Sequence, residues 1–303
     1  MSKYELTDED RANLTDRELV VSVSGGKDST AVVLWLRDCG VTDYTPVFMD
    51  TGWEHPSTIR YVHDDLSKLT PRPVLTLKPE RPMADLIRHK GMFPGRLARF
   101  CTTKLKVDPF ERWVESRFGD GEVVASAVGI RAGESAARSK LPRWSCEAGR
   151  NWITHVWRPL IEWSEQDVIE IHQRHGIRPN PLYLRYGVSR VGCWPCIYAR
   201  KAEIAAVAKN DPGRIDLIRQ LEADLQESAR KRYEARGETF ESLGYTPPTF
   251  FSRRANGEDK HTHTPIDYVV EWAQTARGGK QLLLDVAEPG CVRWGMCDTG
   301  ADE

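Results

Sequence analysis

Five short apolar runs punctuate the first half of the chain, and charged, helix-prone stretches separate them. The first, Leu19 to Val23, ends at Ser24-Gly25-Gly26-Lys27-Asp28-Ser29, and apolar residues then return at helical spacing from Ala31 to Asp38, closed by Gly40. That order predicts a buried strand, a tight turn and a helix. Further strands are expected at Pro46 to Asp50, Val74 to Leu77, Val123 to Gly129 and Thr154 to Trp157. Strands alternating with helices predict a doubly wound α/β domain with a parallel sheet and right-handed crossovers. Ligands of such sheets bind outside the carboxyl ends of the strands. The glycine loop, Asp50-Thr51-Gly52 and Gly129-Ile130-Arg131 all fall at that edge.

Residues 1–18 read as a short helical or irregular lead-in. Ser164 is placed to cap a helix carrying Asp167, Val168, Ile169 and Ile171 and ended by Gly176. His172 and His175 read as surface residues of that helix. From Lys201 the composition shifts. Residues 201–237 are charged, with Leu217, Ile218, Leu221 and Leu225 at helical spacing, and predict two helices. Residues 240–266 are loop-like, and Ile266 to Thr275 predicts one more helix. The expected organisation is a nucleotide-binding domain over 1–205 and a mainly helical C-terminal region with a cysteine-containing tail over 206–303.

The 303 residues, 40% of them hydrophobic, suffice for one large α/β domain with an appendage. No apolar run approaches a membrane span, and the polar N-terminus lacks the apolar core of a secretory signal. A cytoplasmic protein without a membrane partner is the expectation. Seven cysteines, an odd number in a long chain, favour reduced thiols or metal ligands over a disulfide framework. The net charge of −1 is neutral as to partner, but two basic stretches, Arg88 to Lys106 and Arg131 to Arg158, suit a polyanionic nucleotide, a nucleic-acid backbone or solvated helix faces.

The glycine loop carries the sharpest chemistry. Gly25 and Gly26 let backbone N–H groups approach an anion at a helix N-terminus. Lys27 adds charge, and Ser24 and Ser29 add hydroxyls, so the expected ligand is a phosphate or pyrophosphate. The loop is not a Walker A motif. The hexapeptide SGGKDS resembles the PP-loop of the adenine nucleotide α-hydrolase superfamily of HUP-type folds, which includes ATP pyrophosphatases, tRNA-thiolating enzymes and the PAPS and APS reductases. The resemblance implies chemistry at an α-phosphate. Asp50-Thr51-Gly52 is similar to a D/N-T-G segment that lies near the nucleotide in the reductases, and Gly129 to Ser135 is similar to their G-x-R-x-x-E-S segment. Arg131 and Arg138 are therefore expected on phosphate or sulfate oxygens; the alternative is a surface loop with a Glu134–Arg138 pair. The stretch from Trp157 to Tyr183 resembles the end of the reductases' nucleotide domain.

Cys193-Trp194-Pro195-Cys196 reads on its own as a redox pair, half a zinc site or part of an iron–sulfur site. A metal would need two further ligands, with Cys101 first and Cys291 and Cys297 next. Cys39 reads as structural, and Cys146 stays open. APS reductases carry a Cys-Cys pair before an R/K-K-V-x-P segment and a later G-C-x-P-C, which together hold a 4Fe-4S cluster. This chain resembles them in Cys101 before Lys104-Leu105-Lys106-Val107-Asp108-Pro109 and in Gly192 to Cys196, but it has Phe100 in place of the other cysteine. The resemblance implies a cluster on Cys101, Cys193 and Cys196, completed by Cys297 or Cys291 or left with one open iron, with zinc as the lesser alternative. The reductases' E-C-G-[IL]-H tail is absent; Cys297-Asp298-Thr299-Gly300 is a weak match to it.

The leading expectation is an enzyme that binds ATP and Mg²⁺ and cleaves ATP to AMP and pyrophosphate, activating a substrate for sulfur transfer. Lys27, Asp28 and Arg131 are its catalytic candidates. Ser24, Gly25, Gly26, Lys27, Asp28, Ser29, Asp50, Thr51, Gly129, Arg131 and Arg138 would bind the nucleotide. By analogy with DNA phosphorothioation and tRNA-thiolating proteins, the acceptor would be a nucleic acid and the sulfur donor a cysteine desulfurase. The alternatives are a PAPS or APS reductase working with thioredoxin, and a non-catalytic nucleotide or nucleic-acid binding module.

Overall fold

The computed structural model describes residues 4–95, 98–118, 123–148, 153–239, 247–251, 253–254, 261–262, 264–275 and 294. Its centre is a six-stranded sheet of β1 (Glu18–Val23), β2 (Thr45–Met49), β3 (Leu75–Leu77), β4 (Val123–Val128), β5 (Trp144–Ala148) and β6 (Ile153–Trp157), in the order β3-β2-β1-β4-β6-β5. The expected five strands are present and parallel. The order reverses between β1 and β4, so the loops leaving these two strands flank the switch-point crevice where ligands bind in open α/β sheets.

The sixth strand corrects the expectation of a wholly parallel sheet: β5 runs antiparallel to β6. Its sequence, WSCEA, has no apolar run to announce it. Long-range contacts hold it. The Trp144 ring stacks on Trp157 at 5.1 Å, and both indole N–H groups donate to Asp10 Oδ1 at 2.8 Å. Asp10 comes from α1 (Asp8–Leu14), which Thr7 opens with a capping box. Arg143 adds bonds to the same carboxylate at 2.7 and 2.9 Å. One fully buried carboxylate thus pins the N-terminal helix to the far side of the sheet.

The helix after the glycine loop, α2 (Lys27–Asp38), starts four residues earlier than its apolar spacing suggests. Ala31 to Leu36 are all wholly buried, the pattern of a helix enclosed on every side. The sheet covers one face and α7 (Glu165–Arg174) another. Ser164 and Asp167 form the expected capping box on α7, and Gly176 ends it in the left-handed region.

A second core lies beside the sheet. Besides α3 (Pro56–Arg60) and α6 (Asp108–Phe118), which pack on the sheet side, the chain carries α4 (Met83–Lys90), α5 (Phe100–Thr102), α8 (Pro181–Arg185), α9 (Lys201–Asn210), α10 (Pro212–Glu234) and α11 (Ile266–Ala273), which line this second core. Trp53, Leu86, Leu105, Leu182 and Trp194 pack there with Ile218, Leu221 and Leu225 of α10, Ile266 and Val269 of α11, and Trp294. The helices after residue 201 therefore bury their apolar faces against the segments that carry Cys101 and Cys193. Among the described residues, no helix is long and apolar enough to cross a membrane.

Candidate functional site

The glycine loop is built as its sequence requires. Gly25 sits at φ +70°, and a Cβ there would lie 2.9 Å from Thr58 Cγ2 and 3.0 Å from Val62 Cγ2. Ser29 Oγ donates to Gly26 O at 2.9 Å and accepts from Ser24 N–H at 3.1 Å; its separation from Ser24 Oγ is 3.2 Å. The two hydroxyls thereby brace the loop. Lys27 is 6% exposed. Its N–H donates to Tyr183 Oη at 3.1 Å and its ammonium to Ser189 O at 3.1 Å. Asp28 Oδ2 and Glu165 Oε1 stand 3.5 and 3.4 Å from that ammonium.

Arg131 arrives from the end of β4, is 6% exposed, and pairs through Nε with Asp28 Oδ1. Two buried cations, Lys27 and Arg131, thus meet one carboxylate at the switch point. Gly129 allows it: a Cβ there would lie 2.8 Å from the backbone C and O of Asp28 and from N of Ser29. The close approach expected of this glycine is to the loop's own backbone. Arg138 pairs with Glu134, the alternative considered for it, while Glu134 also accepts from Arg131 N–H at 2.9 Å.

Asp50 accepts from Gly52 N–H at 3.0 Å and lies 3.5 Å from the exposed Lys78 ammonium. Thr51 is wholly buried, and its hydroxyl donates to the Glu54 carboxylate at 2.8 Å, so it helps to shape the turn.

Cys101, Cys193 and Cys196 are half-buried free thiols that interact electrostatically with one another. Burial pushes Cys101 up and Cys193 up to about 11. Lys106 faces all three; Cys193 raises its pKa most, against burial, with Glu54, Cys196 and Cys101 adding to the effect. A π-helical turn over Thr103–Val107 carries this lysine, a distortion that often marks functional positions. Among the described residues, no three His, Cys, Asp or Glu side chains are arranged to hold a metal ion. The donor types, three cysteine thiols with the half-buried Lys106 ammonium acting on them, nonetheless suit a thiolate-bound group. The expected fourth ligand, Cys297, lies with Cys291 outside the described residues. Cys146 stands apart, exposed and 3.6 Å from His155 Nδ1, and Cys39 Sγ lies 3.7 Å from Tyr4 O.

Several site residues carried no local signal. Tyr183 and Glu165 contact Lys27, Asn180 Nδ2 donates to Gly25 O at 3.1 Å, and Glu54 bridges to Cys193 through its backbone. His172 corrects a reading: it is wholly buried, not on the surface, because Trp294 covers it at 5.3 Å between ring centres.

A family model described as the phosphoadenosine phosphosulfate reductase domain matches residues 18–199. A 37.8 kDa protein of the gpa 5′ region of Escherichia phage 186 is 33% identical, covering 88% of this chain and 90% of its own. The adenosine 5′-phosphosulfate reductase of Streptomyces coelicolor is 32% identical over 55% of this chain and 66% of the enzyme. Solved structures with a similar fold include the PAPS reductase of Candida auris in a phosphate complex, at 20% identity and TM-score 0.44, covering 61% of this chain and 85% of that one. Another is the U34-tRNA thiolase NcsA of Methanococcus maripaludis with its 4Fe-4S cluster, at 15% identity and TM-score 0.38, covering 69% and 73%. The family match runs from the first residue of β1 through the Cys193–Cys196 pair, well over half of the chain, and this chain belongs to the phosphoadenosine phosphosulfate reductase domain family.

Proposed function

We propose that the chain is an enzyme that binds ATP at the Ser24–Ser29 loop and cleaves it to AMP and pyrophosphate, activating a substrate for sulfur transfer at Cys101, Cys193 and Cys196. The observation that carries this reading is the meeting of buried Lys27 and Arg131 at Asp28. Two desolvated cations held by one carboxylate suit exchange onto the oxygens of a polyphosphate.

In the proposed reaction a substrate oxygen attacks the α-phosphorus, the bond to the bridging oxygen breaks, and the electron pair leaves with pyrophosphate; the substrate adenylate then loses AMP, with its bridging oxygen, when a sulfur nucleophile displaces it. Lys27 and the N–H groups at the start of α2 stabilise charge on that leaving group. Arg131 orients the reacting phosphate. Asp28 and Asp50 are the carboxylates available to Mg²⁺. Asp50 is the more readily turned to it, because its lysine partner is exposed. Cys101, Cys193 and Cys196 would hold an iron–sulfur cluster with a tail cysteine such as Cys297; when bound, it supplies a site for carrying sulfur. Zinc is the lesser alternative. A nucleic acid is the proposed acceptor and a cysteine desulfurase the proposed sulfur donor.

The 32% identity to the Streptomyces reductase favours a second reading, a PAPS or APS reductase that releases sulfite and takes electrons from thioredoxin. One experiment separates the two. Anaerobic protein is incubated with α-labelled ATP and nucleic acid, and in parallel with PAPS and APS. AMP with pyrophosphate supports the first reading, and sulfite the second. ADP with orthophosphate contradicts the first, and binding without turnover of any nucleotide leaves a binding module.

A further inference from the structure

The Asp50–Gly52 turn and the Cys193–Cys196 segment are joined by a residue to which the chemistry above gives no part. Glu54 is 6% exposed. Its carboxylate accepts from Thr51 N–H at 2.9 Å, from the Thr51 hydroxyl at 2.8 Å and from Trp53 N–H at 3.2 Å. Its backbone forms an antiparallel bridge with Cys193. Beside that bridge, Trp194 N–H donates to Trp53 O at 2.9 Å, and Trp53 Nε1 donates to Pro195 O at 3.0 Å. Arg214 closes the outer side, with NH1 3.5 Å from Trp53 O, NH2 3.4 Å from Glu54 O and its guanidinium 4.6 Å over the Trp53 ring. On the inner side Glu54 acts on Lys106, the ammonium that also faces the three thiols.

The residue type matters. Three donors converge from one turn: Thr51 N–H and Trp53 N–H both reach Oε2, and the Thr51 hydroxyl lies 2.8 Å from both oxygens, so a neutral glutamine would lose the charge that strengthens these bonds. Leaving a buried donor or acceptor unpaired costs about 1–3 kcal/mol. Hydrogen bonds thus run from the turn through the Glu54 carboxylate and the Trp53–Glu54 backbone to the Cys193–Pro195 strap.

We propose that Glu54 is a positioning residue that couples the nucleotide turn to the cysteine segment. An adenine nucleotide that orders Asp50–Gly52 also fixes the backbone of Cys193 and Trp194, and by linkage the state of the cysteines feeds back on nucleotide affinity. This rests on the proposed binding of an adenine nucleotide at the crevice.

The test is amide hydrogen exchange of full-length, anaerobically purified protein with and without AMPCPP and Mg²⁺, with binding followed separately by calorimetry. In the wild type, AMPCPP slows exchange across residues 192–197 about fivefold; Glu54→Gln keeps AMPCPP affinity within about threefold and loses the slowing. A purely structural role would speed exchange in the variant equally with and without nucleotide and leave the response to nucleotide intact. Thr51→Val removes one bond to the carboxylate and gives an intermediate response, and it decides the matter if Glu54→Gln does not fold. The inference alone is overturned if AMPCPP binds while residues 192–197 do not respond, or if Glu54→Gln responds fully. Absence of AMPCPP binding overturns it together with the proposed function.

Discussion

Arg131 and Asp28 lie 103 residues apart in the chain and meet side chain to side chain between the end of β4 and the first turn of α2. Lys27 touches the same carboxylate. The cations expected to read a polyphosphate are thus already assembled beside a carboxylate, and in the proposed function nucleotide binding would be an exchange of anions at a preformed site. Removing either cation should cost one charge-assisted contact, about 1.5–3 kcal/mol. Arg131→Ala and Lys27→Met should each weaken ATP binding by about tenfold or more in calorimetry. Arg131→Lys should recover only part of the loss, because an ammonium cannot fork onto two oxygens.

The two glycines flanking Arg131 should behave oppositely. A Cβ at Gly129 would meet Asp28 and Ser29 backbone at 2.8 Å, whereas one at Gly133 meets nothing within 4 Å. Gly129→Ala should lower stability by about 1–3 kcal/mol through overpacking, and it should displace the loop. Gly133→Ala should stay within about 0.5 kcal/mol of wild type. Urea unfolding of the two variants checks this.

Asp10 should be among the costliest positions outside the crevice. Burial on its own would push its carboxyl up, but the bonds from Arg143, Thr7 and Trp144 outweigh burial and hold it below the usual carboxylate range. Its ionised form therefore stabilises the fold fully above the ordinary value of 3.8, and that contribution is lost as pH falls through the depressed folded value. Asp10→Asn should cost about 3 kcal/mol at neutral pH. In acid the gap between wild type and variant should close.

His172 gives a second pH signature. Its Nδ1 lies 2.7 Å from Val168 O, its buried Nε2 has no hydrogen-bond partner among the described residues, and burial pushes its pKa from 6.5 down to about 4. Above pH 6.5 the ring is neutral in both states. Between 6.5 and 4 the unfolded chain takes up a proton that the folded chain refuses, so stability falls as pH falls. The loss is on the order of 3 kcal/mol when complete. His172→Phe should flatten this part of the profile in unfolding experiments run from pH 7 to 4.

The legibility of the chain followed the range of its interactions. Strands β1, β2, β4 and β6 appeared as apolar runs because they sit in the interior of the sheet, where both faces are covered; β3, at the sheet edge and half-buried, showed only a short run. Strand β5 did not, since Trp144 is held by Asp10, 134 residues away. The spacing of α7 placed His172 one turn from Val168, but not the distant Trp294, whose ring packs edge-on against it. Cys101, Cys193 and Cys196 could be grouped because each sits in a short motif. Lys106 stood inside the Lys106-Val107-Asp108-Pro109 motif, but nothing local marked its action on the thiols, and Glu54 belongs to no local pattern. Thr51, a motif position read as a nucleotide contact, donates its hydroxyl to Glu54.

The most direct test of sulfur chemistry beside a nucleotide site is the metal content of the protein. Anaerobically purified wild type should be brown, with broad visible absorption and with iron and acid-labile sulfide. Cys193→Ser should lose all three, and Cys146→Ser, altering an exposed thiol paired with His155, should keep them. Colourless wild-type protein, carrying zinc or no metal, would contradict the account.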